Sequence, residues 1–114
     1  MFPERGWVQF LLLMLINEKP MYGYEISEEL EKRGLVREGR FKTGSLYTIL
    51  NRLEHHGLLT SKEETDSGRT RRVYTITDEG KERLKTGLEH MLRRKKILDK
   101  MEKYYQRNFP DTQN

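Results

Sequence analysis

Residues 43–77, TGSLYTILNRLEHHGLLTSKEETDSGRTRRVYTIT, carry the reading on which the fold turns. Their first half is helical. Leu46, Ile49, Leu50 and Leu53 recur at the spacing of one helix face, and the helix is expected from Thr43 or Gly44 to Gly57. The stripe is narrow. Projection at about 100° per residue puts Gly44, Thr48, Asn51 and His55 opposite it, with Tyr47 and Arg52 on its flanks. The second half changes period. Leu58–Glu64 and Arg69–Thr77 read as strands, the latter with Arg72, Tyr74 and Ile76 on one face and Arg71, Val73 and Thr75 on the other. Thr65-Asp66-Ser67-Gly68 is turn chemistry, so the two strands form a hairpin with Asp-Ser-Gly at its tip. A short helix with a polar outer face, followed at once by a two-stranded hairpin, is the end of a winged helix-turn-helix.

The residues before this stretch supply the rest of that fold. A helix is expected from about Tyr22 to Arg33, with Tyr22, Ile26 and Leu30 at i, i+4 and i+8 and Gly34 as its C-terminal cap. Its outer face carries Glu25, Glu28, Glu29 and Glu31, which repel phosphate and make it a poor groove-reading helix. Residues 35–42, LVREGRFK, are expected to be irregular. Pro20 ends an earlier helix, from about Gly6 to Glu18. Trp7, Phe10, Leu11, Met14 and Leu15 form its stripe, while Leu12, Leu13 and Ile16 make it apolar almost all round. A helix apolar on every side is buried on every side, so it asks for a second surface, such as another subunit.

After the hairpin, Thr77 suits an N-cap, with Asp78 and Glu79 in the first turn of a last helix that reaches about Arg107 and ~45 Å. Leu84, Leu88, Met91, Leu92, Leu98, Met101 and Tyr105 mark one stripe along it; Ile97 and Tyr104 mark a shifted one. Lys95 and Glu102 interrupt a strict heptad seam. Such a helix exceeds what a hairpin and three short helices can cover. It is expected to dimerise, the alternative being that it folds back on its own subunit. The whole is α+β, mostly α: a winged helix-turn-helix with an added N-terminal helix and a long C-terminal dimerisation helix. Residues 1–77 would form the winged domain, 78–108 the dimerisation helix and 109–114 a polar tail.

The chemistry follows the geometry. The third helix offers Ser45, Tyr47, Thr48, Asn51 and Arg52 outward. Asn pairs bidentately with adenine and Arg with guanine, and Thr meets a thymine methyl or a phosphate. The helix N-terminus near Thr43–Ser45 suits a phosphate, and Lys42 and Arg40 add charge before it. Arg69, Arg71 and Arg72 lie within four residues of the hairpin; arginine beside a Gly turn suits phosphate or minor-groove contact. Arg72 shares a face with Tyr74 and Ile76, which leaves open a structural pairing with a carboxylate at the core's edge. Candidate DNA contacts are therefore Lys42, Thr43, Ser45, Tyr47, Thr48, Asn51, Arg52, Arg69 and Arg71. The competing reading, a winged-helix protein-interaction module, calls for an apolar or acidic outer face on the third helix.

Composition sets bounds. The chain has 114 residues, a formal net charge of +4 and 35% charged residues against 34% hydrophobic ones. That balance fits a small core with long solvated helices and a nucleic-acid partner. There is no cysteine, which excludes disulfides and thiol chemistry and is compatible with a cytoplasmic protein. The run Phe10–Ile16 is far short of the ~20 residues of a membrane span and lacks the flanks of a signal peptide. His55 and His56 are adjacent and point apart, with His90 distant, so no metal site and no cofactor is expected. Nucleophile–base pairs, phosphate loops and paired carboxylates in an apolar setting are missing, which argues against an enzyme. Arg93-Arg94-Lys95-Lys96 circles its helix and reads mainly as solvated.

The stretch Gly44–Glu54 with Gly57-Leu58-Leu59 resembles the recognition-helix signature of the PadR family of regulators. Gly68-Arg69-Thr70-Arg71-Arg72-Val73-Tyr74 and Ile76-Thr77-Asp78-Glu79-Gly80 resemble its wing and exit, and Tyr22-Gly23-Tyr24-Glu25-Ile26 the start of its second helix. Val73 stands where the family more often has an aromatic. The resemblance, over roughly residues 7–92, implies a homodimeric repressor with a single C-terminal helix, bound to a near-palindromic operator on double-stranded DNA and released by a small, often aromatic, ligand. One branch of the family sandwiches planar drugs between tryptophans of the C-terminal helices; here Trp7, in the first helix, is the only tryptophan. Trp7, Phe10, Leu84, Leu88, Met91, Leu92, Leu98, Met101 and Tyr105 are the expected dimer interface. Trp7, Met91, Met101 and Tyr105 either line an effector pocket there or are plain dimer core.

Overall fold

The computed structural model describes residues 5–41 and 44–112. Its elements run α1 (Arg5–Glu18), β1 (Met21–Tyr22), α2 (Gly23–Lys32), α3 (Ser45–His55), β2 (Leu59–Asp66), β3 (Arg69–Ile76) and α4 (Asp78–Asn108), with a 3-10 turn at Pro110–Thr112. This is the expected winged helix with an added N-terminal helix and a long C-terminal one. By compactness the chain divides into two units, the first ending at Leu84 and the second beginning at Lys85.

The first unit is organised by leucine. Leu12, Leu13 and Leu15 of α1, Ile26 and Leu30 of α2, Leu46, Leu50 and Leu53 of α3, and Leu59 and Tyr74 of the sheet are all at most 2% exposed. Each is worth ~2 kcal/mol of burial, so this interior fixes how the three helices meet the sheet. Burial corrects the reading of α1. Val8, Leu12, Leu13, Leu15 and Ile16 face the core, while Phe10, Leu11 and Met14, three members of the expected stripe, are only partly buried against it. The chain's own core therefore covers Leu12, Leu13 and Ile16 with no second subunit.

Two further corrections concern single residues. Tyr22 is not on a helix stripe. It belongs to β1, which pairs antiparallel with β3 through Met21↔Tyr74 and Tyr22↔Val73, making a three-stranded sheet of order β1-β3-β2. Its amide is satisfied by the Glu25 carboxylate at 3.0 Å, the capping contact that starts α2. Leu84, expected at the dimer interface, is 5% exposed within the single chain and belongs to this core. Phe41 is 8% exposed at the end of the irregular 35–41 segment and anchors it.

The hairpin keeps an unbroken register from Leu59↔Ile76 to Asp66↔Arg69. The turn is consequently only Ser67-Gly68, with φ of 53° and 81°. Two successive positive values are the primed turn whose twist matches the strands, and glycine at its second position makes that geometry cheap. At the other end, the Thr77 hydroxyl accepts from the Gly80 amide at 3.0 Å and donates to the Gly57 carbonyl at 2.7 Å. One side chain thus caps α4 and ties it to the end of α3.

α1 and α2 are joined at their ends by Arg33, whose guanidinium meets Glu18 at 2.7 and 2.8 Å and Glu29 at 2.9 Å. The hydrogen bonds from Arg33 hold the Glu18 carboxyl below the usual carboxylate range. No described helix is long and apolar enough to cross a membrane.

Candidate nucleic-acid interface

α3 presents Tyr47, Thr48, Asn51 and Arg52 as exposed side chains, with Ser45 half-buried at its start. Lys42 and Thr43, also expected to contact DNA, lie outside the described residues. The Arg40 guanidinium lies over the Phe41 ring at 4.8 Å and donates to the Ser45 hydroxyl at 3.3 Å. Ser45 is therefore held by a cation at the helix N-terminus, where anions are favoured. A shallow groove beside the helix is lined by Gln9, Arg40, Ser45, Thr48 and Arg52. Gln9 was not singled out from the sequence, although a signal exists: it is the lone polar residue between Gly6 and Asn17.

A second cleft lies between α3 and the wing. Tyr22, Tyr24, Tyr47, Arg69, Arg71 and Arg72 line it, together with one carboxylate, Glu25, which caps the Tyr22 amide. Tyr24, from the start of α2, is 68% exposed there, an aromatic that no pattern within α3 or the hairpin marks. Tyr47 leans on the first residue of α2: a Cβ added at Gly23 would stand 2.7 Å from Tyr47 Cε1. The recognition helix and the wing thus share one continuous surface, with Tyr47 at the join.

The three wing arginines differ. Arg72 donates to the Ser61 hydroxyl at 3.0 Å and to the Glu63 carboxylate at 3.0 Å. Ser61 in turn donates to Glu54 of α3 at 2.8 Å, so Arg72 is part of a brace between wing and helix. Arg71 places its guanidinium over the Tyr22 ring, 5.2 Å from the centroid. Neither Arg69 nor Arg71 forms an ion pair among the described residues. Two cations without a counter-ion beside a polar helix face are what a polyanion needs.

The Tyr22 phenol is raised above its ordinary value, chiefly because it donates to Glu64 at 3.1 Å. Tyr74 is raised by burial. His55 and His56 meet edge to face at 5.7 Å, and no cluster of three potential metal ligands occurs among the described residues.

The residues expected at a dimer interface divide between the units. Trp7 and Phe10 are half-buried on α1. On α4, Met91 is half-buried and Leu88 and Tyr105 are exposed, Tyr105 stacking on Phe109 at 5.9 Å. Leu92, Ile97, Leu98, Met101 and Tyr104 are between 53% and 63% exposed. Together they leave an apolar row open to water along α4.

Residues 12–86 match the family model described as the transcriptional regulator PadR-like family. A transcriptional regulator of Mycobacterium tuberculosis is 35% identical over 78 residues, 68% of this chain and 69% of that protein. The solved structure of a transcriptional regulator from Clostridium thermocellum shares 33% identity at a TM-score of 0.72, covering 84% of this chain and 93% of that one. A PadR family transcription regulator from Clostridium difficile superposes at 0.73 with 28% identity, covering 83% and 97%.

Proposed function

The chain belongs to the PadR-like family of transcriptional regulators, and from that premise we propose that it acts as a homodimeric repressor on a near-palindromic DNA operator. The observation that carries the reading is the continuous surface formed by the exposed α3 face and the wing, with Arg69 and Arg71 lacking carboxylate partners among the described residues. Asn51 and Arg52 read base edges from the major groove. Thr48 meets a thymine methyl or a phosphate. Ser45 and Tyr47, together with Lys42 and Thr43, set the helix against the backbone. Arg69 and Arg71 hold phosphates flanking the site, or enter the minor groove there.

The dimer is supported by the exposed row on α4. A two-fold pair presents two copies of α3, so its operator carries two inverted half-sites about one helical turn apart, ~10 base pairs. The test is a mobility-shift series on duplexes tiled across the DNA upstream of the protein's own coding region. One tile bound far above the rest, at two protomers per site, is the expected result. Equal binding of every tile overturns it.

A further inference from the structure

Two Glu–Arg pairs stand side by side across the same two strands, and they behave differently. In the register of β2 and β3, Glu63 faces Arg72 and Glu64 faces Arg71. Glu63 and Arg72 form an ion pair at 3.0 Å. Glu64 and Arg71, the next pair along the ladder and on the opposite face of the sheet, do not. Directly opposed charges on one face of an antiparallel pair lie close enough to meet, so their separation needs a cause.

The cause is Tyr22, one strand further out. Its hydroxyl donates to Glu64 Oε2 at 3.1 Å, while its ring carries the Arg71 guanidinium 5.2 Å from the centroid. The other carboxylate oxygen of Glu64 lies 3.9 Å from Lys62 Nζ. One Glu64 oxygen thereby accepts from Tyr22 and the other faces Lys62, while Arg71 rests on an aromatic face that attracts its charge without neutralising it. The geometry points to Tyr22 as a positioning residue that keeps Glu64 from pairing with Arg71, so that the Arg71 cation remains available for a DNA phosphate. This role rests on the DNA-binding reading above. It divides the wing by function: Arg72 is spent on the brace to Ser61 and Glu63, and Arg71 is kept for the nucleic acid.

Tyr22→Phe is the informative change, because it keeps the ring and the strand and removes only the hydroxyl. In the DNA-free protein, the Arg71 Nε–H resonance is expected to move on Glu64→Gln in the Tyr22→Phe background and to stay put in the wild-type background. Equal movement in both backgrounds means that Glu64 and Arg71 already pair, which overturns the proposal. With a duplex, Tyr22→Phe is expected to weaken binding roughly three- to tenfold and to lower the salt slope by about one per protomer. Adding Glu64→Gln should restore both, a rescue that a merely structural role for the hydroxyl would not show. A wild-type protein that binds no duplex sinks the DNA reading together with the role given to Arg71. Normal wild-type binding with an unchanged Tyr22→Phe slope overturns the role of Tyr22 alone.

Discussion

The Tyr47 ring lies against Gly23 so closely that a Cβ at Gly23 would stand 2.7 Å from Tyr47 Cε1 and 2.9 Å from its hydroxyl oxygen. The missing side chain at the start of α2 is what lets the recognition helix seat its aromatic there. Only the far end of a half-exposed ring obstructs an added methyl, and Gly23 has an ordinary negative φ. Gly23→Ala should therefore fold, with stability within about 1 kcal/mol of wild type. The ring has to move, and DNA affinity should fall with it. Tyr47→Ala should lose a similar amount, and the double variant should be no worse than either single one. Full additivity in that cycle contradicts the shared cause.

The wing arginines should separate by salt dependence. Arg69→Ala and Arg71→Ala remove phosphate contacts, weaken all sequences alike and lower the salt slope by about one per protomer. Arg72 is tied to Ser61 and Glu63. Its loss should leave the slope unchanged and cost under about 1 kcal/mol in thermal unfolding, as for other exposed pairs.

The exit from the wing should be sensitive to small changes. Thr77→Ala removes the acceptor for the Gly80 amide and the donor to the Gly57 carbonyl, for a loss of about 1–2 kcal/mol. Gly80→Ala is more severe. Its Cβ would overlap the Leu58 carbonyl oxygen and stand 2.7 Å from Ile76 Cγ1. Backbone cannot give way there, and a loss of about 3 kcal/mol is expected in chemical denaturation. A Gly80→Ala protein as stable as wild type would refute the close packing of α4 on Leu58.

How far these features could be read from the sequence depends on their range. The helices and the hairpin announced themselves through period and caps, because Leu46, Ile49, Leu50 and Leu53, or the alternation around Tyr74, are local patterns. β1 did not, since two residues have no period; it exists because β3 offers its outer edge. Tyr22 was read onto a helix for that reason, and its contact with Glu64, 42 positions away, had no local signature. Leu84 fell on the right stripe but in the wrong compartment, because a stripe does not reveal where along a long helix the core stops. In the candidate interface, Asn51, Arg52, Arg69 and Arg71 were identified by chemistry. Gln9 and Tyr24 were missed because they come from other elements.

The exposed row on α4 predicts self-association. Leu98→Lys combined with Met101→Lys should convert a dimer to a monomer in sedimentation velocity at micromolar concentration while leaving the winged domain folded. A wild-type protein that sediments as a monomer there would remove the dimer from the account.

The claim that the α3 face reads DNA is tested most directly by selecting duplexes from a randomised pool with the wild-type protein and with Asn51→Ala in parallel. The wild type should enrich a near-palindrome with half-sites ~10 base pairs apart. Asn51→Ala should enrich the same frame with preference relaxed at one position in each half-site, a loss of about 1–3 kcal/mol there. No enrichment by the wild type, or an Asn51→Ala selection with unchanged base preferences, would contradict it.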